Sequence, residues 1–225
     1  MTQQLWTDVD RYLTDRLVAS DPALDTALRT SAEAGLPEIN VAPNQGKLLY
    51  LLALASGAER ILEIGTLGGY STIWLGRALP PDGKLVTLEA DARHAEIARS
   101  NIAAAGLSDR VEVIVGPALE TLPELAARGE PPFDLSFIDA DKAPTAEYFA
   151  WSLRLSHLGS LIIVDNVVRA GGVADDDNTE PRVLGMRRFF DELAAEERVA
   201  ATAVQTVGSK GHDGFVLAVV TGGAN

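Results

Sequence analysis

The stretch Arg60-Ile61-Leu62-Glu63-Ile64-Gly65-Thr66-Leu67-Gly68-Gly69-Tyr70-Ser71 constrains the fold more than any other. Its apolar start, Ile61 to Ile64, suits a buried strand, and the run breaks at Gly65. Gly68 and Gly69 follow, and Ser71-Thr72-Ile73-Trp74-Leu75 can open a helix. Strand, glycine turn and helix let a backbone approach a ligand closely, with unpaired helix N–H groups facing it. The turn is not a dinucleotide fingerprint. Thr66 and Leu67 follow Gly65, so Gly-x-Gly-x-x-Gly fails at its second glycine. Glu63 would repel a pyrophosphate and suits a cationic or amine-bearing ligand. On this stretch alone, an ordinary turn with no ligand is an equally good reading.

From Arg60 onward, strands alternate with helices. Ile61–Ile64, Lys84–Glu89, Val111–Val115, Phe133–Ile138 and Ser160–Val164 read as strands. Helices fall between them, one capped by Asp91 and ended by Gly106. That order predicts an α/β fold with a parallel sheet and right-handed crossovers. Val183–Ala195 reads as a further helix. Thr202–Val207 and Phe215–Val220 read as two late strands forming an antiparallel edge, joined through Gly208–Gly214. Residues 1–55 read as a helical N-terminal cap and 60–220 as the core sheet, all within one domain over 1–225. In the cap, Val9, Leu13 and Leu17 form an apolar stripe, and Asp21-Pro22 starts a helix. The segment from Gln45 to Ala55 reads as a helix packed on the sheet edge or on another subunit. The last five residues read as a frayed tail.

The 225 residues contain no cysteine, so thiolate metal sites and disulfides are excluded. Three scattered histidines exclude a histidine-clustered zinc site. A net charge of −13 argues against nucleic acid or an anionic membrane and favours a small-molecule partner. The sequence shows no bilayer-length apolar run and no signal segment, which points to the cytoplasm.

Open parallel sheets bind ligands beyond the carboxyl ends of their strands. Those ends are Gly65 with its turn, Glu89, Gly116-Pro117-Ala118, Asp139-Ala140-Asp141-Lys142 and Asp165-Asn166. Glu89 stands where a ribose-binding acid belongs, and would disfavour a 2′-phosphate. Asp139, Asp165 and Asn166 are hard oxygen donors suited to Mg²⁺, Mn²⁺ or Ca²⁺. Both acids follow apolar runs, where an ionised carboxylate needs a metal or Lys142 as partner. Beside a bound cation, Lys142 would give up its proton more readily and act as a general base. The plainer reading is an Asp139–Lys142 ion pair with Asp165 capping a loop.

Leu62-Glu63-Ile64-Gly65-Thr66-x-x-Gly69-Tyr70-Ser71, Phe137-Ile138-Asp139-Ala140-Asp141-Lys142 and Asp165-Asn166-Val167 together resemble the cation-dependent class I O-methyltransferases. That family includes catechol and caffeoyl-coenzyme A O-methyltransferases, and the similarity runs from about Asn40 to Val220. The resemblance implies a Rossmann-like, seven-stranded, mostly parallel sheet with an antiparallel last strand, helices on both faces and an N-terminal helical extension. It implies S-adenosylmethionine bound by Val41, Glu63, Gly65, Thr66, Ser71, Glu89, Ala118 and Asp139. It also implies a divalent cation, Mg²⁺ first, on Asp139, Asp165 and Asn166. Lys142, with Asp139, would be catalytic, and the acceptor would be a catechol-like phenolic small molecule.

A homodimer contact is expected through the N-terminal helices and the Leu48–Leu54 face. The sequence departs from the family at Pro144 and in the acidic Gly171–Asn178 loop, which in the family lies over the acceptor. His212 and Asp213 are further candidates for the acceptor border. Two other readings remain open: a nicotinamide-dependent oxidoreductase on a related fold, and a non-catalytic protein that binds an adenosyl ligand.

Overall fold

The structure is a computed structural model that describes residues 2–222. The expectation of a frayed tail falls partly on residues 223–225, outside the described residues.

The strands are β1 (Arg60–Ile64), β2 (Lys84–Glu89), β3 (Val111–Val115), β4 (Phe133–Ile138), β5 (Ser156–Asp165), β6 (Val199–Gly208) and β7 (Gly211–Val220). They form one seven-stranded sheet in the order β3-β2-β1-β4-β5-β7-β6. Strands β1 to β5 are parallel, and β7 runs antiparallel to both β5 and β6. The reversed strand is therefore internal, while the edge strand β6 runs with the others. The expected Gly208–Gly214 connection shrinks to a tight turn, because His212, Asp213 and Gly214 pair with Val207, Thr206 and Gln205. Strand β5 begins earlier than its apolar run and carries Asp165 as its last residue.

The helices are α1 (Gln3–Leu17), α2 (Pro22–Glu33), α3 (Pro43–Ser56), α4 (Tyr70–Ala78), α5 (Ala92–Ala104), α6 (Ala118–Ala127), α7 (Thr145–Arg154) and α8 (Pro181–Ala195). Asp21 caps α2 and Asp91 caps α5 through side-chain bonds to backbone N–H groups, as their positions before the helices predict. Side chains alternate across a strand. Ile61, Leu85, Phe137 and Ile163 therefore pack under Leu24, Leu49, Ile73 and Ile102 of α2 to α5. Leu62, Ile64, Ile138 and Ile162 pack under Leu122, Phe149 and Phe189 of α6 to α8. The result is a doubly wound, Rossmann-like α/β architecture.

Helix α3 packs on α4 rather than on the sheet edge. A Cβ on Gly46 would come within 2.4 Å of the Trp74 ring, so only glycine admits that contact. Leu49 and Ala53 are buried while Leu51 and Leu54 stay exposed. Helix α1 buries no residue, and its stripe of Val9, Leu13 and Leu17 faces outward. No helix among the described residues is long and apolar enough to cross a membrane.

Candidate active site

Strand order reverses between β1 and β4, and ligands of open α/β sheets bind at such a switch point. Gly65 leaves β1 there with φ at +101°. A Cβ on it would lie 2.2 Å from the Asp139 carbonyl oxygen, so the glycine turn presses against the backbone that follows β4. Gly69 caps α4 in the left-handed conformation without a side-chain bond, which leaves the first N–H groups of the helix for a ligand. Glu89 braces the turn. Its Oε2 accepts from Thr66 N (3.2 Å) and Leu67 N (2.7 Å), and its Oε1 accepts from Asp91 N (3.0 Å).

Glu63 sits behind the turn. It shares a strand face with Ile61, so its side chain enters the layer of α4 and is fully buried. Ser71 Oγ donates to its Oε1 at 2.6 Å; Thr72 Oγ1 and Thr87 Oγ1 donate to its Oε2 at 2.5 and 2.7 Å. The carboxyl is pushed up to about 7, chiefly by burial and in part by the charge of Asp139, against the three hydroxyl donors. It fastens β1 and β2 to the first turn of α4 and does not line the ligand cavity. Ser71, which bonds its Oε1, does line that cavity, so Glu63 stands directly behind the glycine turn.

The second pole lies on β4 and β5. Ile138 pairs with Val164, so Asp139 and Asp165 follow side by side on adjacent strand ends. Lys142 Nζ donates to Asp139 Oδ1 at 2.8 Å, and the lysine is buried. Asp165 is 4% exposed, with Oδ1 accepting from Asn166 N (2.8 Å) and Oδ2 from Gln45 Nε2 (2.7 Å). Burial raises the Asp165 carboxyl well above the usual carboxylate range; the charge of Asp139 adds to this and that of Lys142 opposes it. Asn166 is held at a φ of +57°. Two adjoining carboxylates, one destabilised as an anion, with an amide beside them fit a hard divalent cation by donor chemistry. Among the described residues no group of three or more His, Cys, Asp or Glu converges as a metal cluster, so the amide of Asn166 is needed to complete a set of three.

One cavity of about 1070 Å³ joins the two poles. Val41, Gly65, Thr66, Ser71, Glu89 and Ala118 line it together with Asp139, Lys142 and Asn166. Asp165 instead borders a smaller cavity of about 260 Å³ behind Asn166, with Asp213. Asp175, Asp176 and Asp177 line neither of the two, and His212 bonds Gln205 on β6 (3.0 Å). The non-glycine residues at positive φ are Leu67, Asn166, Arg169 and Ala170, and the first three line the large cavity. Such strain persists where surrounding structure enforces it, commonly at working sites. Gln45, Tyr148, Arg169, Arg182 and Lys210 were not legible as site residues, because nothing in their spacing links them to the strand ends.

A glycine turn at a switch point, joined through one cavity to an acid–lysine pole beside a reversed strand, defines an α/β enzyme of the methyltransferase type. The chain belongs to the O-methyltransferase family, whose model matches residues 16–219. It is 52% identical to the catechol O-methyltransferase of Niastella koreensis over 220 residues, covering 98% of this chain and 100% of that one. The O-methyltransferase of Bacillus cereus, solved in complex with SAH, superposes with a TM-score of 0.96 at 55% identity, covering 98% and 100% of the two chains. TomG of Streptomyces achromogenes, an O-methyltransferase involved in tomaymycin synthesis and solved with SAM, gives a TM-score of 0.95 at 52% identity over 99% and 100%.

Proposed function

We propose that this enzyme transfers a methyl group from S-adenosylmethionine to one hydroxyl of a vicinal dihydroxy aromatic, with the aid of a divalent cation. The observation that carries the reading is the single cavity shared by the glycine turn and the Asp139–Lys142 pair. The SAM- and SAH-bound relatives support the methyl donor, and the catechol O-methyltransferases support the acceptor class.

In this reading the turn residues Gly65, Thr66 and Ser71, with Val41, Glu63, Glu89, Ala118 and Asp139, hold the donor. Asp139, Asp165 and Asn166 would hold the cation. When bound, the donor supplies an activated methyl on a sulfonium sulfur, and the cation supplies positive charge that favours a phenolate. Gln45 fixes Asp165 in place, and the left-handed backbone at Asn166 turns that residue toward the cavity. Lys142, in its neutral form, takes the hydroxyl proton onto Nζ. Burial of this lysine keeps bulk water from competing as base. The remaining work of the chain is alignment of the acceptor oxygen with the methyl carbon.

The test is methyl transfer to catechol, read by mass spectrometry, before and after EDTA and again with Mg²⁺ restored. Product lost on chelation and recovered with Mg²⁺ supports the reading; no product from any vicinal diol refutes it. A homodimer through the outward stripe of α1 is proposed alongside, since an apolar helix face of this kind is an association surface. A monomeric mass by light scattering would remove it.

A further inference from the structure

The rim of the large cavity beyond Asn166 is built from Tyr148, Arg169, Arg182, Lys210, Asp141 and Glu38. Arg169 is the residue there whose demands are least met. Its backbone is forced to a φ of +56°. Its Nε is buried and has no hydrogen-bond partner among the described residues. Asp213 Oδ2 stands 3.8 Å from its Nη1, while Oδ1 of the same acid accepts from Val168 N (2.9 Å) and Arg169 N (3.0 Å). Asp213 thus holds the backbone of Arg169 through one oxygen and pairs loosely with its guanidinium through the other, leaving the remaining N–H donors of that group unclaimed. Arg182 lines the same cavity from the first turn of α8. A Cβ on Gly172 would meet Val183 Cγ2 at 3.1 Å and Arg169 Cβ at 3.9 Å, so the start of α8 abuts the Arg169 segment.

Lys210 is engaged elsewhere, donating to the Glu38 carbonyl at 3.0 Å. Asp141 and Glu38 are exposed, and water satisfies an exposed carboxylate. A half-buried guanidinium with spare donors is the group on this rim that gains most from a ligand of opposite charge. The planar fork of arginine matches a carboxylate in two parallel bonds. Arg169 and Arg182 line the same cavity as Asp139 and Lys142, in a chain of net charge −13.

We propose that Arg169, with Arg182 on the same cavity wall, receives a carboxylate carried by the acceptor. The preferred substrates are then vicinal dihydroxy aromatics with an anionic side group, an assignment that rests on the acceptor reading above. The remote ion pair orients the ring so that one hydroxyl, rather than either, meets Lys142.

The experiment compares kcat/KM for 3,4-dihydroxybenzoate, its neutral amide and 3,4-dihydroxybenzylamine, with S-adenosylmethionine and Mg²⁺. The wild-type enzyme is expected to favour the carboxylate over the amide by about tenfold, and the amine least, as a charge-assisted pair requires. Arg169→Gln is expected to bring the carboxylate-to-amide ratio to about one, mainly through KM, and Arg182→Gln to lower it partly. Should Arg169→Gln fail to fold, the wild-type ratio and Arg182→Gln decide. Amide or amine turned over as well as the carboxylate by the wild-type enzyme overturns this inference alone. So does a ratio that neither substitution changes. No turnover of any of the three diols overturns the acceptor reading and this inference with it.

Discussion

Gln45 donates from Nε2 to Asp165 Oδ2 at 2.7 Å, a bond between residues 120 positions apart that ties the first turn of α3 to the tip of β5. It satisfies one oxygen of a buried acid and fixes the orientation of the other. If Asp165 holds the proposed cation, substituting Gln45 by Leu is expected to raise the Mg²⁺ concentration needed for half-maximal rate about tenfold or more, the usual effect of losing a bond that orients a ligand. Excess Mg²⁺ should recover much of the rate. Asp165→Ala removes the oxygens themselves and should abolish turnover while SAH still binds by calorimetry. A Gln45→Leu enzyme with an unchanged Mg²⁺ requirement would show that the bond only stabilises the fold.

Lys142 is the base in the proposed reaction, and its amine is fixed by Asp139 at 2.8 Å. Lys142→Met keeps the length of the chain and removes the proton acceptor. Turnover is expected to fall about 10²–10⁴-fold, the range of a lost general base, with SAH affinity altered little. A rate within threefold of wild type across the pH range would remove Lys142 from the chemistry.

Glu63 carries a pH signature in stability. In the unfolded chain it titrates near its usual 4.5, whereas burial pushes it up to about 7 in the fold. Folding therefore favours the protonated form. Its contribution is complete below about 4.5 and is lost as pH rises through about 7. Glu63→Gln imitates the protonated state, so it should raise the melting temperature by about 2–4 °C or more near pH 8.5 and change it little near pH 5. A melting temperature lowered equally at both would mean that the three hydroxyl donors require the ion.

Arg187 on α8 grips the segment after β5 by its carbonyls. Nε donates to Val173 O (3.1 Å), Nη1 to Asn178 O (3.2 Å), and Nη2 to Gly172 O (3.2 Å) and to Asp175 O. This staple shapes the acidic stretch that follows the short 3₁₀ turn Arg169–Ala174. Arg187→Ala is expected to speed hydrogen exchange across residues 170–178 by about tenfold or more, as those carbonyls lose their charged donor. Exchange elsewhere in the sheet should stay within about twofold. Uniform loosening of the whole protein would show instead that the arginine matters to the fold at large.

The residues that punctuate apolar runs were legible in the sequence. Gly65, Glu89, Asp139, Lys142, Asp165 and Asn166 each end or closely follow such a run, and a parallel sheet gathers those ends on one rim. Glu63 was legible as the acid just before the turn. Its parity with Ile61 was visible and puts it on the α4 face, not on the rim. Gln45 and Arg169 carried no signal of this kind, because their roles depend on how α3 and the segment after β5 fold back over the sheet. The apolar stripe of α1 was legible as a stripe. It faces outward, while other residues of α1 meet α3 and β6.

The contact between Gly65 and the Asp139 carbonyl has a bearing on how such an enzyme can diversify. Neighbouring strands keep a spacing of about 4.8 Å whatever side chains they carry. The bend that leaves β1 and the bend that carries Asp139 and Lys142 therefore inherit their separation from the lattice of the sheet. Segments farther out, such as the start of α8 and the turn after β5, can be rewritten for a new aromatic partner while that gauge stays fixed. A Cβ at position 65 would spread the two bends by its own width, so every variant of this architecture that keeps the reaction must leave that one atom out.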